Sequence, residues 1–479
     1  MITFIAGLLI LLFGYIFYSK YTESQFCISD KSTPAVKIND GVDFVPLSEK
    51  KNMLIHLLNI AGLGPLLGAI QGILFGPIAF ILIPVGCVLM GGVHDYFSGM
   101  LSIRNDGAQI TELIKKYLGK TPYKIFIVIV SIMLLILTSV FIYTAGDLIA
   151  GKFFAQTDFS LNNHIILWIY AIIAIYFLSA PLFPIDKIIG KFYPLFGFLL
   201  LIGTSLVFAG FIAKGLTVQN IDFHRLNTHP DGLPLLPMFF ITVSCGLLSG
   251  FHSTQSTIIS RTLISEKSGK KIFYGMMCIE SLITMIWAAG AMHVYYHNLV
   301  PENLIGTVNV LNIISETFVA PALSFIVTIA IVILPITSGD TAFRGLRMII
   351  AESLNLNQIK ISNRLKIVIP SFAIIVAILV WAKTNSNGFF LIWRYFNLVN
   401  QLIAIPTFLY SSVYLYKNGK NYLITLLPGL FYIFITSFFI FNSGIGFNIN
   451  YKLSEWLAIL TVIISIIAII TLKPKQKTE

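Results

Sequence analysis

Several apolar runs of this chain carry side chains that hydrocarbon does not suit. The segment CGLLSGFHSTQS, Cys245 to Ser256, sets two glycines, four hydroxyls, His252 and Gln255 inside a run that otherwise reads as a membrane helix. GGVHD places His94 beside Asp95, PITSGDTAFR places Asp340 among Thr337, Ser338 and Thr341, and Glu280 stands within the run 272–297. An ionisable group at membrane depth is unfavourable and tends to mark an ion or proton path. His94, Asp95, Thr337, Ser338 and Asp340 are therefore candidates for coupling an ion or a proton. A helix broken at glycines offers free N–H groups and a positive dipole end to an anion, and bare carbonyls to a cation. Gly246, Ser249 and Gly250 are candidate break points; His252, Ser253 and Gln255 follow at hydrogen-bonding distance along the chain from a small polar substrate held there. A second cluster, NIAGLGPLLGAIQG (Asn59 to Gly72), has the same character, with Gly62, Gly64, Pro65 and Gly68 as candidates. Glu280 is the mid-span carboxylate suited to a substrate ammonium.

Each feature has a plainer explanation. Glycines also let membrane helices pack closely. Asp340 and Arg344 are spaced i,i+4 and would pair at the membrane boundary. Glu280 would equally serve the backbone or a nearby histidine. His94 and Asp95, being adjacent, lie on different helix faces, so each is expected to need its own partner. A His–Asp pair suggests metal chemistry, but no HExxH motif occurs and no second cluster supplies further ligands at recognisable spacing. No metal or cofactor is expected, apart from a coupling ion, H+ or alternatively Na+. Gly339–Asp340 is similar to the GxGD pattern of intramembrane aspartyl proteases, but Thr337 stands where the first glycine belongs, and no enzyme is expected. No selectivity motif points to an ion channel, the alternative of another class.

The elements that position these residues are membrane spans. Of 479 residues, 56% are hydrophobic and 11% charged, with mean hydropathy +0.85, against about 25% charged in soluble domains. The four cysteines form no framework or CxxC site. The net charge of +11 sits in short loops, where membrane topology places it, which removes nucleic acid as a partner. Thirteen apolar runs approach bilayer length, among them 2–19, 55–72, 235–258 and 453–472. Loops 20–54, 104–121, 259–271 and 339–365 and the tail carry the Lys and Arg, whereas 298–317 has none. That bias places the N-terminus outside and the C-terminus in the cytoplasm of a multi-pass protein of the cytoplasmic membrane. The first run lacks a basic n-region and a small-residue cleavage site, is followed by Lys20, and reads as a retained anchor. The expected organisation is an N-terminal helix (1–19), a cytoplasmic loop (20–54), a five-helix unit (55–213), a second unit (235–416), two further helices (422–472) and a basic tail (473–479). An odd number of helices separates the starts of the two units, so they run in opposite directions, and the glycine-rich run is the first helix of each. Paired broken helices in inverted halves point to a transporter's binding site.

The motifs also carry a family resemblance. STPAVKINDGVDFVPLSEKKNMLIHLLNIAGLGPLLGAI (Ser32 to Ile70), GGVHDYFSGMLSIRNDG, SCGLLSGFHSTQS and FRGLRMIIAE occur in order, and the set resembles the carbon-starvation protein A (CstA) family of transporters. The resemblance covers about two thirds of the chain. It implies uptake of peptides or pyruvate under nutrient limitation, and the core of the amino acid–polyamine–organocation superfamily, two inverted five-helix repeats. It further implies that the breaks at Gly62–Gly68 and Gly246–His252 surround the substrate. A coupling cation would lie between the first broken helix and the third helix of the second repeat, at Thr337, Ser338 and Asp340. The chain is shorter than the long members, which carry extra helices. The combined expectation is a proton-coupled symporter importing pyruvate, a similar small carboxylate or short peptides by alternating access, with a sodium-coupled peptide or amino-acid permease as alternative. The sequence leaves the oligomeric state open.

Overall fold

In hydrocarbon a chain must satisfy its own backbone polar groups, so spans are helices except where a cavity or protein covers them. The computed structural model describes residues 1–156, 158–385 and 387–471. The predicted basic tail 473–479 lies outside the described residues. The described chain is helical, with one isolated bridge between Leu47 and Leu263. Besides the single turns Pro34–Lys37 and Glu302–Leu304, its helices are α1 (Ile2–Ser24), α2 (Glu49–Ile60), α3 (Leu63–Phe75), α4 (Ala79–Arg104), α5 (Ile110–Tyr117), α6 (Lys120–Phe154), α7 (His164–Leu182), α8 (Ile185–Lys214), α9 (Leu235–Thr242), α10 (Phe251–Ser260), α11 (Glu266–Tyr296), α12 (Asn309–Phe318), α13 (Pro321–Ser353), α14 (Ile361–Thr384), α15 (Gly388–Lys417), α16 (Leu423–Asn442) and α17 (Tyr451–Thr471).

Among the described residues, 11 helices are long and apolar enough to cross a membrane, or 12 with α2 and α3 taken as one span bent by 49°. The remaining expected run, 235–258, is instead two short helices, α9 and α10, joined by the non-helical residues 243–250. The two five-helix units are α2–α8 and α9–α15, each opening with an interrupted helix. Their correspondence extends to the short amphipathic helices α5 and α12, each joining the second span of its unit to the third. The third spans, α6 and α13, pack along one another, and α10 packs on α4 as α3 packs on α11. The second spans, α4 and α11, each contain a π-helical turn, Cys87–Gly91 and Lys270–Gly275. Such a turn adds a residue and loosens a carbonyl; Tyr274 donates its hydroxyl to Val88 O at 2.7 Å. α11 is buried along most of its length and α17 along little of it, so the units form the core and α16–α17 the flank.

The loop expected at 20–54 is shorter, because α1 runs on to Ser24 and α2 begins at Glu49. The remaining residues, 25–48, are ordered. Asp40 Oδ1 accepts the N–H groups of Val42, Asp43 and Phe44 at 2.8–3.0 Å. Thr33 donates to Leu263 O at 2.5 Å, Leu47 N–H donates to Thr262 O at 2.9 Å, and Ile185 N–H donates to Val42 O at 2.9 Å. Asp43 is buried and takes Arg347 at 2.7 Å, with Arg344 4.0 Å away. Burial alone raises an aspartate, but Arg347, Arg261 and Arg344 outweigh it and hold the Asp43 carboxyl below its ordinary range. The segment thus ties together one end of both units.

Candidate functional site

The second break is where the polar segment that begins at Cys245 comes to rest. Gly246 has φ +78°, and a Cβ there would collide with Thr284, so glycine is needed twice over. Its N–H donates to Glu280 Oε1 at 3.2 Å. The other loose ends are taken by α15. Asn400 Oδ1 accepts from Phe251 N–H at 2.7 Å and from the Ser249 hydroxyl at 3.2 Å, while its Nδ2 donates to Ser244 O at 3.1 Å. Gln401 Nε2 donates to Phe240 O and Leu248 O, both at 3.2 Å, and Asn397 Oδ1 accepts the Ser244 hydroxyl at 2.7 Å. Unpaired groups of this kind cost about 1–3 kcal/mol each, so three amides on one helix allow the break to exist.

The first break is narrow. Ala61 N–H still bonds to Leu57 O and Gly62 N–H to Ile60 O, after which α3 starts. Here the glycines serve close approach: a Cβ at Gly64 would strike Cys245, and one at Gly68 would sit 3.5 Å from Thr242 O. The two breaks therefore touch. Pro65 occupies the first turn of α3, where no donor is missed.

Four buried ionisable groups line up beside the second break. His94 Nδ1 is 2.9 Å from Asp95 Oδ1, Asp95 Oδ2 is 3.0 Å from His252 Nδ1, and His252 Nε2 is 3.6 Å from Glu280 Oε2. All four side chains are fully buried. Asp95 comes from the first unit and the others across it, His252 and Glu280, from the second. One expectation is corrected: His94 and Asp95, though adjacent, bond to each other through one carboxylate oxygen, and the second oxygen is left for His252. Glu280 meets both the backbone and a histidine. The hydroxyls of Ser249, Ser253 and Thr254 are committed to Asn400, Gly250 O and Phe251 O, whereas Gln255 Oε1 has no hydrogen-bond partner.

The α13 candidates separate into two faces. Ser338 Oγ lies 3.4 and 3.5 Å from Leu58 O and Asn59 O at the end of α2. Asp340 faces away from it and accepts hydroxyls from Tyr193 at 2.6 Å and Tyr176 at 3.3 Å. The expected Asp340–Arg344 pair does not form among the described residues: Arg344 donates to Ala180 O and Phe183 O at 2.8 and 2.9 Å. Thr337 bonds back to Ile333 O at 3.0 Å and does not join Asp340 in a cation-binding group.

Sequence reasoning missed several participants. Asn397, Asn400 and Gln401 are three amides within five residues of an apolar helix, a legible signal. Tyr176 and Tyr193 gave none, since tyrosines are common at membrane boundaries. His56 and Asn59 on α2 are fully buried, and neither ring nitrogen of His56 nor either amide atom of Asn59 has a hydrogen-bond partner. At the end opposite the basic loops, a cavity of about 230 Å³ is lined by Leu67, Gln71, Tyr143, Asp147, Phe389 and Trp393.

Two inverted five-helix units, each opening with a broken helix, with buried carboxylates and histidines beside one break, define a multi-pass membrane transporter. Crystal structures of the Eremococcus coleocola manganese transporter share this fold, with TM-scores of 0.52 and 0.54 at 12% identity, over 90% of this chain and 97% of theirs. A family model for carbon starvation protein CstA matches residues 1–149 and 143–319, and the chain belongs to that family. An uncharacterized membrane protein of Haemophilus influenzae is 38% identical over 62% of this chain and 91% of its own length. The peptide transporter CstA of Helicobacter pylori strain J99 is 25% identical over 90% of this chain and 80% of its own. The pyruvate/proton symporter BtsT of Escherichia coli is 27% identical over 59% of this chain and 47% of its own.

Proposed function

We propose that this transporter is a proton-coupled symporter importing pyruvate, a similar small carboxylate or short peptides across the cytoplasmic membrane under nutrient starvation, by alternating access. The observation that carries the reading is the buried chain His94–Asp95–His252–Glu280, which crosses from one unit to the other at the second break. A proton moving along it would alter the charge between exactly the elements that alternating access displaces. The relatives named for pyruvate/proton symport and for peptide transport support the substrate classes. A carboxylate would sit at the start of α3 near Gly62 and Gly64, and the preceding helix α2 carries His56 and Asn59, whose polar atoms lack partners. Glu280 already holds the Gly246 N–H through one oxygen and sets the other 3.6 Å from His252 Nε2, which favours a small carboxylate over a substrate whose ammonium needs that acid. The cavity at one end and the tied segment 25–48 at the other support a transporter caught open to the side without basic loops, which is the outside in this reading.

The test is uptake into proteoliposomes of labelled pyruvate and of a dipeptide under imposed proton and sodium gradients. Proton-driven accumulation is expected, and Asp95→Asn should abolish accumulation while substrate exchange continues. Ion conductance without uptake of either substrate would replace this reading with a channel. One observation supports a second reading: Ser338 beside two bare carbonyls at the end of α2 suits Na+. Accumulation driven by sodium alone and lost in Ser338→Ala would establish it. Labelling of Lys267→Cys from outside intact cells would reverse the orientation.

A further inference from the structure

We propose that Cys245, His252 and Glu280 form a binding site for a thiophilic divalent cation of the zinc class, set between the second break and α11. The sulfur, an imidazole nitrogen and a carboxylate oxygen lie within 4.8 Å of one another, and all three residues are buried. His252 Nε2 and Glu280 Oε2 have no hydrogen-bond partner, yet they face each other at 3.6 Å. That spacing is too long for a hydrogen bond. It is close to the separation of roughly 3.3–3.7 Å between neighbouring ligands of a tetrahedral ion with bonds of about 2.0–2.3 Å. The groups around the cradle fit the same role. Asp95 accepts from His252 Nδ1 at 3.0 Å, which leaves Nε2 as the lone-pair nitrogen, the carboxylate–histidine arrangement that orients metal-binding imidazoles. Gly246 N–H holds the other oxygen of Glu280, which aims Oε2 inward. Gly64 lies against the Cys245 sulfur, and the absence of a side chain there keeps the thiol in place.

A thiolate, an imidazole and a carboxylate suit zinc or cobalt rather than magnesium or calcium, which prefer oxygen cages. Three protein ligands leave the fourth position of a tetrahedral ion open, the pattern of sites that take a further ligand. Because α10, α11 and the unwound residues each supply one ligand, a bound cation would clamp the break to α11. It would also occupy the two groups at the end of the proton chain, so that metal and proton compete; this last consequence rests on the transport reading, whereas binding itself does not.

The experiment is titration of the purified full chain, in detergent and at equilibrium, with cobalt(II) and then zinc(II), reading the thiolate-to-cobalt charge-transfer absorption. One cobalt per chain carrying that band and displaced by zinc is expected. The band should disappear in Cys245→Ser and persist in a variant whose other three cysteines are serine. Asp95→Asn should keep the band and weaken affinity about 10–100-fold. The paired rings of His293 and His297, 4.4 Å apart at the far end of α11, could also hold cobalt, but without a thiolate they give no such band. A folded chain with no band, a band that survives Cys245→Ser, or displacement by magnesium or calcium as readily as by zinc would overturn the proposal. None of these outcomes depends on whether the protein transports pyruvate, peptides or neither.

Discussion

The two broken helices solve the same problem differently. At the second break, eight residues leave helical geometry, and the protein supplies nearly every partner they need: Asn397, Asn400 and Gln401 from α15 and Glu280 from α11. At the first, only the Ala61–Gly62 step is out of register, little is supplied, and the neighbouring His56 and Asn59 keep buried polar atoms without hydrogen bonds. Buried polar groups are normally satisfied, so a group left open in an otherwise well-paired core is where a ligand is awaited. The comparison separates a wide break whose backbone the protein itself satisfies from a narrow one beside which two whole side chains stay open; in the proposed function the first is scaffold and ion machinery and the second is where a substrate completes the structure.

Substitutions can break or sharpen that contrast. The largest effect should come from Asn400→Leu, which strands Phe251 N–H and Ser244 O together; a loss of about 2–6 kcal/mol is expected, seen as a collapse of the thermal midpoint in detergent. Gly246→Ala forces a side chain into left-handed backbone against Thr284 and should cost at least about 2 kcal/mol, and an unchanged midpoint would show that the break relaxes freely. Asn59→Leu should do the opposite of Asn400→Leu: stability stays level or rises, because an unpaired amide is removed, while uptake falls about tenfold or more, equivalent to about 1.4 kcal/mol. Should Asn59→Leu unfold the protein and leave uptake per folded molecule intact, the contrast between the breaks is wrong. Asn397→Ala, which removes a single hydrogen bond from the Ser244 hydroxyl, should cost only about 1 kcal/mol.

Much of this architecture was legible because glycine clusters and stray charges stand out in apolar runs. The positions of the breaks are marked by Gly62 and by Gly246–Gly250, whereas Gly64, Pro65 and Gly68 fall inside α3 and are not break points; the inversion follows from counting spans and loop charge. The links between elements were not legible. Asn400 serves a backbone group about 150 positions away, and nothing local in α15 says which one. The pairing of His94 with Asp95 depends on side-chain rotation, which residue spacing does not set. Asp340 looks like a partner for Arg344 until Tyr193 and Tyr176, on two other helices, are seen to hold it. The amphipathic helices α5 and α12 were absorbed into loops because helices of 8 and 10 residues are too short to register beside spans.

The tied segment 25–48 has a consequence in time rather than in energy. Ser29, Thr33 and Leu47 are bonded to Glu266, Leu263 and Thr262, and Ile185 of the first unit is bonded to Val42. Amide protons shielded by one set of interlocked bonds open as a unit rather than singly. Hydrogen exchange at Ser29, Leu47 and Ile185 should therefore proceed at a common rate, and that rate would report how often this end of the protein comes undone.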